Sequence, residues 1–184
     1  MFCKQTVSLL VISCVLFVSK PTHAQLVIEN QGASAEVVVN SIISGGLTIN
    51  NATINCPSNA YGTFTNGATT CANIESGLIL TTGNVNNVGQ AAGNINGTNY
   101  SESSGTTCAD PELLSLESNA TFDCCILEFD VVPSCDNLLI RFVFGSDEYP
   151  EYAPPAWLLY NDAFGFFVTG TNPAGPNYNN TNVA

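Results

Sequence analysis

The chain is 184 residues long, with 15 acidic side chains against three basic ones and a single histidine, a formal charge of −12 at neutral pH. So negative a surface repels phosphate backbones and anionic lipid head groups, which disfavours nucleic acid and membrane surfaces as partners. Lys4, Lys20 and His23 all precede residue 25, so Arg141 is the one basic side chain in everything downstream.

Residues 1–24 read as a secretory signal peptide. Met1–Lys4 carries a positive charge, and Ser8–Val18 is an apolar run too short to span a bilayer. Thr22 and Ala24 are small residues at the −3 and −1 positions, so cleavage is expected before Gln25. A lipoprotein motif ending at Cys14 is the weaker reading, because the apolar run continues through Val15–Val18. Residues 25–184 then form one extracellular domain with a side-chain charge of about −14, one arginine against 15 acids. It has no Ser-His-Asp or Cys-His device, no Schiff-base lysine and no phosphate-binding loop. No membrane insertion is expected once the leader is removed.

Six cysteines follow the cleavage site: Cys56, Cys71, Cys108, Cys124, Cys125 and Cys135. An even number in an exported chain reads as disulfides, with fifteen pairings open. Zinc competes poorly, since there is neither a C-x-x-C pair nor a histidine to complete a site. Cys124 and Cys125 are adjacent and on a strand would point to opposite faces, so they should take different partners, Cys108 and Cys135 being nearest.

In chain order, "SAEVVVNSIISGG" suits a short amphipathic helix capped by Ser34 and stopped at Gly45-Gly46. "LTINNATINC" and "GLILTTG" read as strands, and residues 84–109, rich in Gly, Asn, Ser and Thr, as a long loop. "ADPELLSLES" places Asp110 at a helix cap and Pro111 at the first helical position. In "CCILEFDVVPSCDNLLIRFVFG", Leu127, Phe129 and Val131 alternate with Glu128 and Asp130, then turn residues precede a second apolar run. That pattern predicts a hairpin, with Arg141 on the return strand opposite Glu128 or Asp130. "DAFGFFVTG" predicts a further strand with Phe164, Phe166 and Val168 on one face. Short strands spaced by turns, with helix confined to the margins, predict an all-β, disulfide-containing domain of β-sandwich or jelly-roll type with one or two short peripheral helices.

Four segments, "SGLILTTGNVNNVG", "ILEFDVVPSCDNLLIRFVFGSDEYPEY", "NDAFGFFVTG" and the final "NVA", resemble in order the choice-of-anchor L domain of bacterial surface proteins. The family pattern runs as a glycine-then-LTTG strand, an LEFDF strand, a YVFASEEYPE strand, then NDxFGFF and NIA. The resemblance covers roughly residues 34–184. It implies a secreted or cell-surface protein of Bacteroidota type, often multidomain, with sorting or anchoring signals at its C-terminus. Gly145-Ser146-Asp147 stands where the pattern has Ala-Ser-Glu, which keeps the acid, and "APPAWLLY" is inserted before Asn161. The pattern continues past "NVA", so the domain is expected to extend beyond residue 184 and its anchor to lie further on.

The segment with most chemical promise is "FVFGSDEYPEYAPPAWLLYNDAFGFFVTG". It holds Asp147, Glu148, Glu151 and Asp162 with no Lys, Arg or His, and nine of the 17 aromatic residues fall between Phe142 and Phe167. Carboxylates among so many rings are hard to solvate and call for a positive partner. Calcium takes six to eight oxygens from carboxylates, amide oxygens and carbonyls, and Asp147, Glu148, Glu151, Asn161 and Asp162 would supply them if the two loops meet. The plain alternative is a polar rim of turn formers and strand-end acids. A glycosidase would need two of these carboxylates, such as Glu148 and Asp162, about 5–9.5 Å apart. A carbohydrate-binding module would stack sugars on Tyr152 and Trp157, although aromatic residues of this kind more often serve packing. The reading that follows is a non-catalytic extracellular binding or structural module, adhesive toward an extracellular protein or glycan and stabilised by calcium, with carbohydrate binding as the alternative and glycoside hydrolysis behind it.

Overall fold

The computed structural model describes residues 26–43, 46–70, 72–88, 103–134, 138–146 and 162–184. The expected signal peptide and most of the long loop lie outside them. The described chain is all-β, built from seven strands and two short helices: β1 Val27–Glu29, α1 Ala35–Asn40, β2 Leu47–Asn55, β3 Tyr61–Thr65, β4 Gly77–Leu80, α2 Pro111–Leu116, β5 Ile126–Pro133, β6 Phe167–Gly170 and β7 Tyr178–Asn182. Every ladder is antiparallel, in the groupings β1-β3-β4, β2-β5 and β6-β7.

The buried side chains come mainly from α1, which packs against β2, and from β3. Ala35, Val38 and Val39 recur at helical spacing and are buried, the two valines completely. They share the interior with Ala60, Tyr61, Phe64, Val85 and Cys124. Polar groups inside this region are paired. The Tyr61 hydroxyl donates to the Ala33 carbonyl at 2.8 Å, and the buried Thr63 hydroxyl receives Asn30 Nδ2 at 3.0 Å while donating to the Glu29 carbonyl.

The helix α1 stops five residues short of the glycine pair that was expected to end it. Ser34 takes the N-cap position without a side-chain capping bond, and at the far end the Ser41 hydroxyl donates to the Val38 carbonyl at 2.6 Å. A serine that takes a last-turn carbonyl competes with continued helix, and three consecutive β-branched residues weaken propagation. The second helix follows its local signals closely. Asp110 Oδ1 accepts from the Leu113 amide at 2.9 Å and Pro111 occupies the first turn. Asp110→Ala should therefore lower stability by about 1 kcal/mol, a fall of roughly 2–4 °C in a thermal melt. No change would show that the cap is not needed to hold α2.

Strand β2 shows how one residue sets a face. Leu47 and Ile49 are half-buried, then Ala52 and Ile54, with exposed positions between them. The phase shifts because the register breaks between Asn50 and Thr53, and Asn51 sits there at φ 52°. Asparagine tolerates this left-handed conformation, and a bulge lets the apolar set stay on one face. Asn51 Nδ2 donates to Asp130 Oδ2 at 2.6 Å, which ties the bulge to β5.

Two expectations need correction here. The partner of β5 is β2, with Ile49 opposite Val131 and Ile54 opposite Leu127, whereas residues 138–146 belong to no described ladder. The inward alternation of Leu127, Phe129 and Val131 holds, but a turn-like "PSCDN" does not force the next run to fold back. The residues facing Asp130 and Glu128 are consequently Asn50 and Thr53. Arg141 lies elsewhere, its Nη2 donating to the Asn73 carbonyl at 3.5 Å. In the "DAFGFFVTG" segment the strand begins only at Phe167.

Candidate functional site

Asp162 opens the last described segment and is half-buried. Its Oδ2 accepts from the Ser146 hydroxyl at 3.1 Å. On the same side, the Phe164 ring lies 5.2 Å from that of Phe142, tilted, and 5.8 Å from that of Phe144, stacked. Ring pairs in this range attract beyond their area of contact. Three contacts therefore hold residues 142–146 beside residues 162–164, so the segment that leads into "DEYPE" and the segment that follows Asn161 meet. The run 138–144 is rich in exposed apolar groups, Leu139 being 85% exposed and Val143 57%.

Of the residues expected to form a cation site, Asp162 is described, while Asp147, Glu148, Glu151 and Asn161 lie outside the described residues, as do Tyr152, Trp157, Cys71 and Cys135. Among the described residues no group of three or more His, Cys, Asp or Glu side chains is arranged to hold a metal.

Four of the cysteines are paired among the described residues. Cys56 bonds Cys125 across a sequence separation of 69, with Cα atoms 4.3 Å apart, and Cys108 bonds Cys124 across a separation of 16, at 5.9 Å. The adjacent pair thus takes different partners. Cys125 reaches back to the end of β2, because β2 and β5 are paired and bring Asn55 opposite Ile126. Both bridges border a cleft of about 470 Å³ that is also lined by Asn55, Thr106, Asp110 and Ile126.

Sequence reasoning missed Asp123, which organises the rim of this cleft. Its backbone is left-handed at φ 56°, and its Oδ1 accepts from the Ser103 and Ser104 hydroxyls, both at 3.0 Å, and from the Thr106 amide at 3.2 Å. The Asp123 amide in turn donates to the Thr106 carbonyl. A carboxylate with three donors from a segment about 20 residues earlier fixes that segment against Cys124. Nothing local in "TFDCC" announces it, since the donors lie about 20 residues earlier in the chain.

The family model of the choice-of-anchor L domain matches residues 22–184. No curated protein and no solved structure matches the chain.

Proposed function

We propose that this chain, which belongs to the choice-of-anchor L domain family, is a non-catalytic binding and structural module, adhesive in role and stabilised by calcium. Choice-of-anchor domains occur in exported surface proteins, and the two disulfides fit an extracellular location. The family is not a known enzyme family.

The calcium part of the reading is carried by one observation, the Ser146–Asp162 hydrogen bond at 3.1 Å. A site built from "SDEYPE" and "ND" requires the two segments to converge, and this bond brings the residue next to Asp147 against the Asp162 carboxylate. The donor set of the reading is Asp147, Glu148, Glu151, Asn161 and Asp162. All are oxygen donors, four of them carboxylates, which suits a hard cation over zinc or copper. Residues 142–170 carry four carboxylates and no Lys, Arg or His, so bound calcium would supply the positive charge that this stretch of sequence lacks.

A thermal melt in excess calcium and then in EDTA tests this. At 100 times its dissociation constant a ligand stabilises by about 2.7 kcal/mol, which for a domain of this size is a rise of roughly 5–10 °C. The rise should be lost in Asp147→Asn and Asp162→Asn. Equal melting points in calcium and EDTA would remove the cation and leave the cluster a polar rim.

A further inference from the structure

We propose that residues 138–144 form an open strand-docking edge, whose occupant is an extended segment of a partner protein carrying one carboxylate among apolar side chains. The inference rests on the reading of the chain as a binding module, to which it gives a surface and a partner, and it does not depend on calcium.

The run "LLIRFVF" sets Leu, Ile, Phe and Val around one arginine, and its aromatic and β-branched members favour strands. It contains no helix, turn or bend, yet it joins no ladder. Among the described residues none of its amides or carbonyls has a main-chain partner. Side chains alternate between the two faces of such a run. Phe142 and Phe144 rest against Phe164, at ring separations of 5.2 and 5.8 Å. Leu139, Arg141 and Val143 take the other face, where Leu139 is 85% exposed and Val143 57%. One face is anchored, while the other face and the main chain are open. An apolar edge that no lysine or proline guards is a template for a further strand.

Arg141 selects the occupant. It is the one basic side chain after residue 25, against 15 acids, it is exposed, and among the described residues it pairs with no carboxylate. Its Nη2 donates to the Asn73 carbonyl at 3.5 Å, which leaves most of the guanidinium fork to receive an acid. Ile140 and Phe142 border a cavity of about 370 Å³ with Asn73 and Ile74, so a side chain laid across Arg141 has room beside it. A second copy of this chain fits poorly. Pairing the run antiparallel with itself about its centre sets Arg141 opposite Arg141, and like charges directly opposite repel. Each copy also brings a side-chain charge of about −14, one arginine against 15 acids. A partner strand with a single carboxylate opposite Arg141, and neutral or basic residues beyond the edge, has neither fault.

The test is a fluorescence-anisotropy titration of the full chain with a short synthetic peptide of alternating valine and threonine, a glutamate at its centre and a lysine at each end. Saturable binding is expected, and a backbone N-methylated version of the peptide should bind on the order of tenfold or more weakly, because its main-chain donors are gone. Arg141→Gln should weaken the glutamate peptide roughly 2–5-fold and leave a glutamine version unchanged. Leu139→Ser should weaken both on the order of tenfold at an unchanged melting temperature, since so exposed a side chain adds little to the fold. Absence of saturable binding, or equal binding of the N-methylated peptide, overturns the proposal. Self-association of the chain that Leu139→Ser abolishes assigns the edge to a second copy and overturns it. Slow amide exchange across residues 138–144 in the free chain shows the edge covered by the chain itself and overturns it too. Each of these failures leaves the calcium melt to decide the binding-module reading separately.

Discussion

Replacing both Cys56 and Cys125 by serine should lower stability by about 4 kcal/mol, a fall of roughly 8–16 °C in melting temperature. The bridge closes a loop across a separation of 69 residues, and loop-closure entropy grows with the logarithm of that length. The smaller Cys108–Cys124 loop, at a separation of 16, should give about 3 kcal/mol by the same relation. The ordering is therefore a test in itself, because it follows from the denatured chain and not from any contact in the folded one. The double serine variant is preferred over either single change, since a lone thiol beside Cys108–Cys124 would invite exchange. Melts of the two double variants under identical conditions decide the matter. A loss under 2 °C for Cys56→Ser/Cys125→Ser would show that β2–β5 pairing alone holds this end of the fold.

Phe64→Ala should cost about 3–5 kcal/mol, read as a lower midpoint in urea or heat. Phe64 lies on β3 and is 8% exposed, next to the turn that begins at Gly67. An added Cβ at Gly77 would come within 3.2 Å of its ring, and one at Gly67 within 2.7 Å. Both glycines are small so that the ring fits, and truncating it leaves a space that neither can fill. At Gly67 the Ile74 carbonyl crowds the same position, so an added methyl there meets backbone as well as ring. Phe64→Leu should recover a good part of the loss, because it restores most of the volume. If Phe64→Ala proved as stable as the parent, the ring would not be packed against Gly67 and Gly77 as described.

Where the folding signal is local, the sequence states it outright. Asp110-Pro111 announces α2 because cap and first turn are fixed by residues three apart. The alternation of Leu127, Phe129 and Val131 against Glu128 and Asp130 announces β5 for the same reason. What β5 pairs with is not local. Asn50 and Asp130 are 80 positions apart, and no turn chemistry between residues 55 and 126 records that they will meet. The nearer apolar run looked like the natural partner, since hairpins are the commonest antiparallel unit. Strands β1 and β3 were invisible for a different reason. "YGTFT" carries a glycine at its second position, which weakens any strand signal. Gly62 is there because the Glu29 carbonyl would lie 2.9 Å from a Cβ, a close approach only the folded sheet reveals.

At the candidate site, the paired aromatic and acidic character of "FVFGSDEY" and "NDAFGFF" was readable, and the Ser146–Asp162 and Phe–Phe contacts are the physical form it takes. The doubled asparagine in "LTINNATIN" was also present in plain view. Its meaning as a phase-correcting bulge depends on the burial of Ala52 and Ile54, which only packing defines.

The position of the Cys56–Cys125 bond has a mechanical consequence. Strand β2 runs into Cys56 and strand β5 runs out of Cys125, so tension applied through the two ends of the chain crosses the sulfur bridge and bypasses everything between. That shelters β3, β4 and α2, and about 230–250 Å of contour length that can never be paid out while the bond is intact. The ladder on the loaded path, β2 with β5, has both of its pulled ends at Leu47 and Pro133, which face each other. Force would open it from that end one pair at a time, like a zip, until it reached the covalent stop at Cys56. A surface module wired this way yields early and over a short distance, then holds at the strength of a covalent bond.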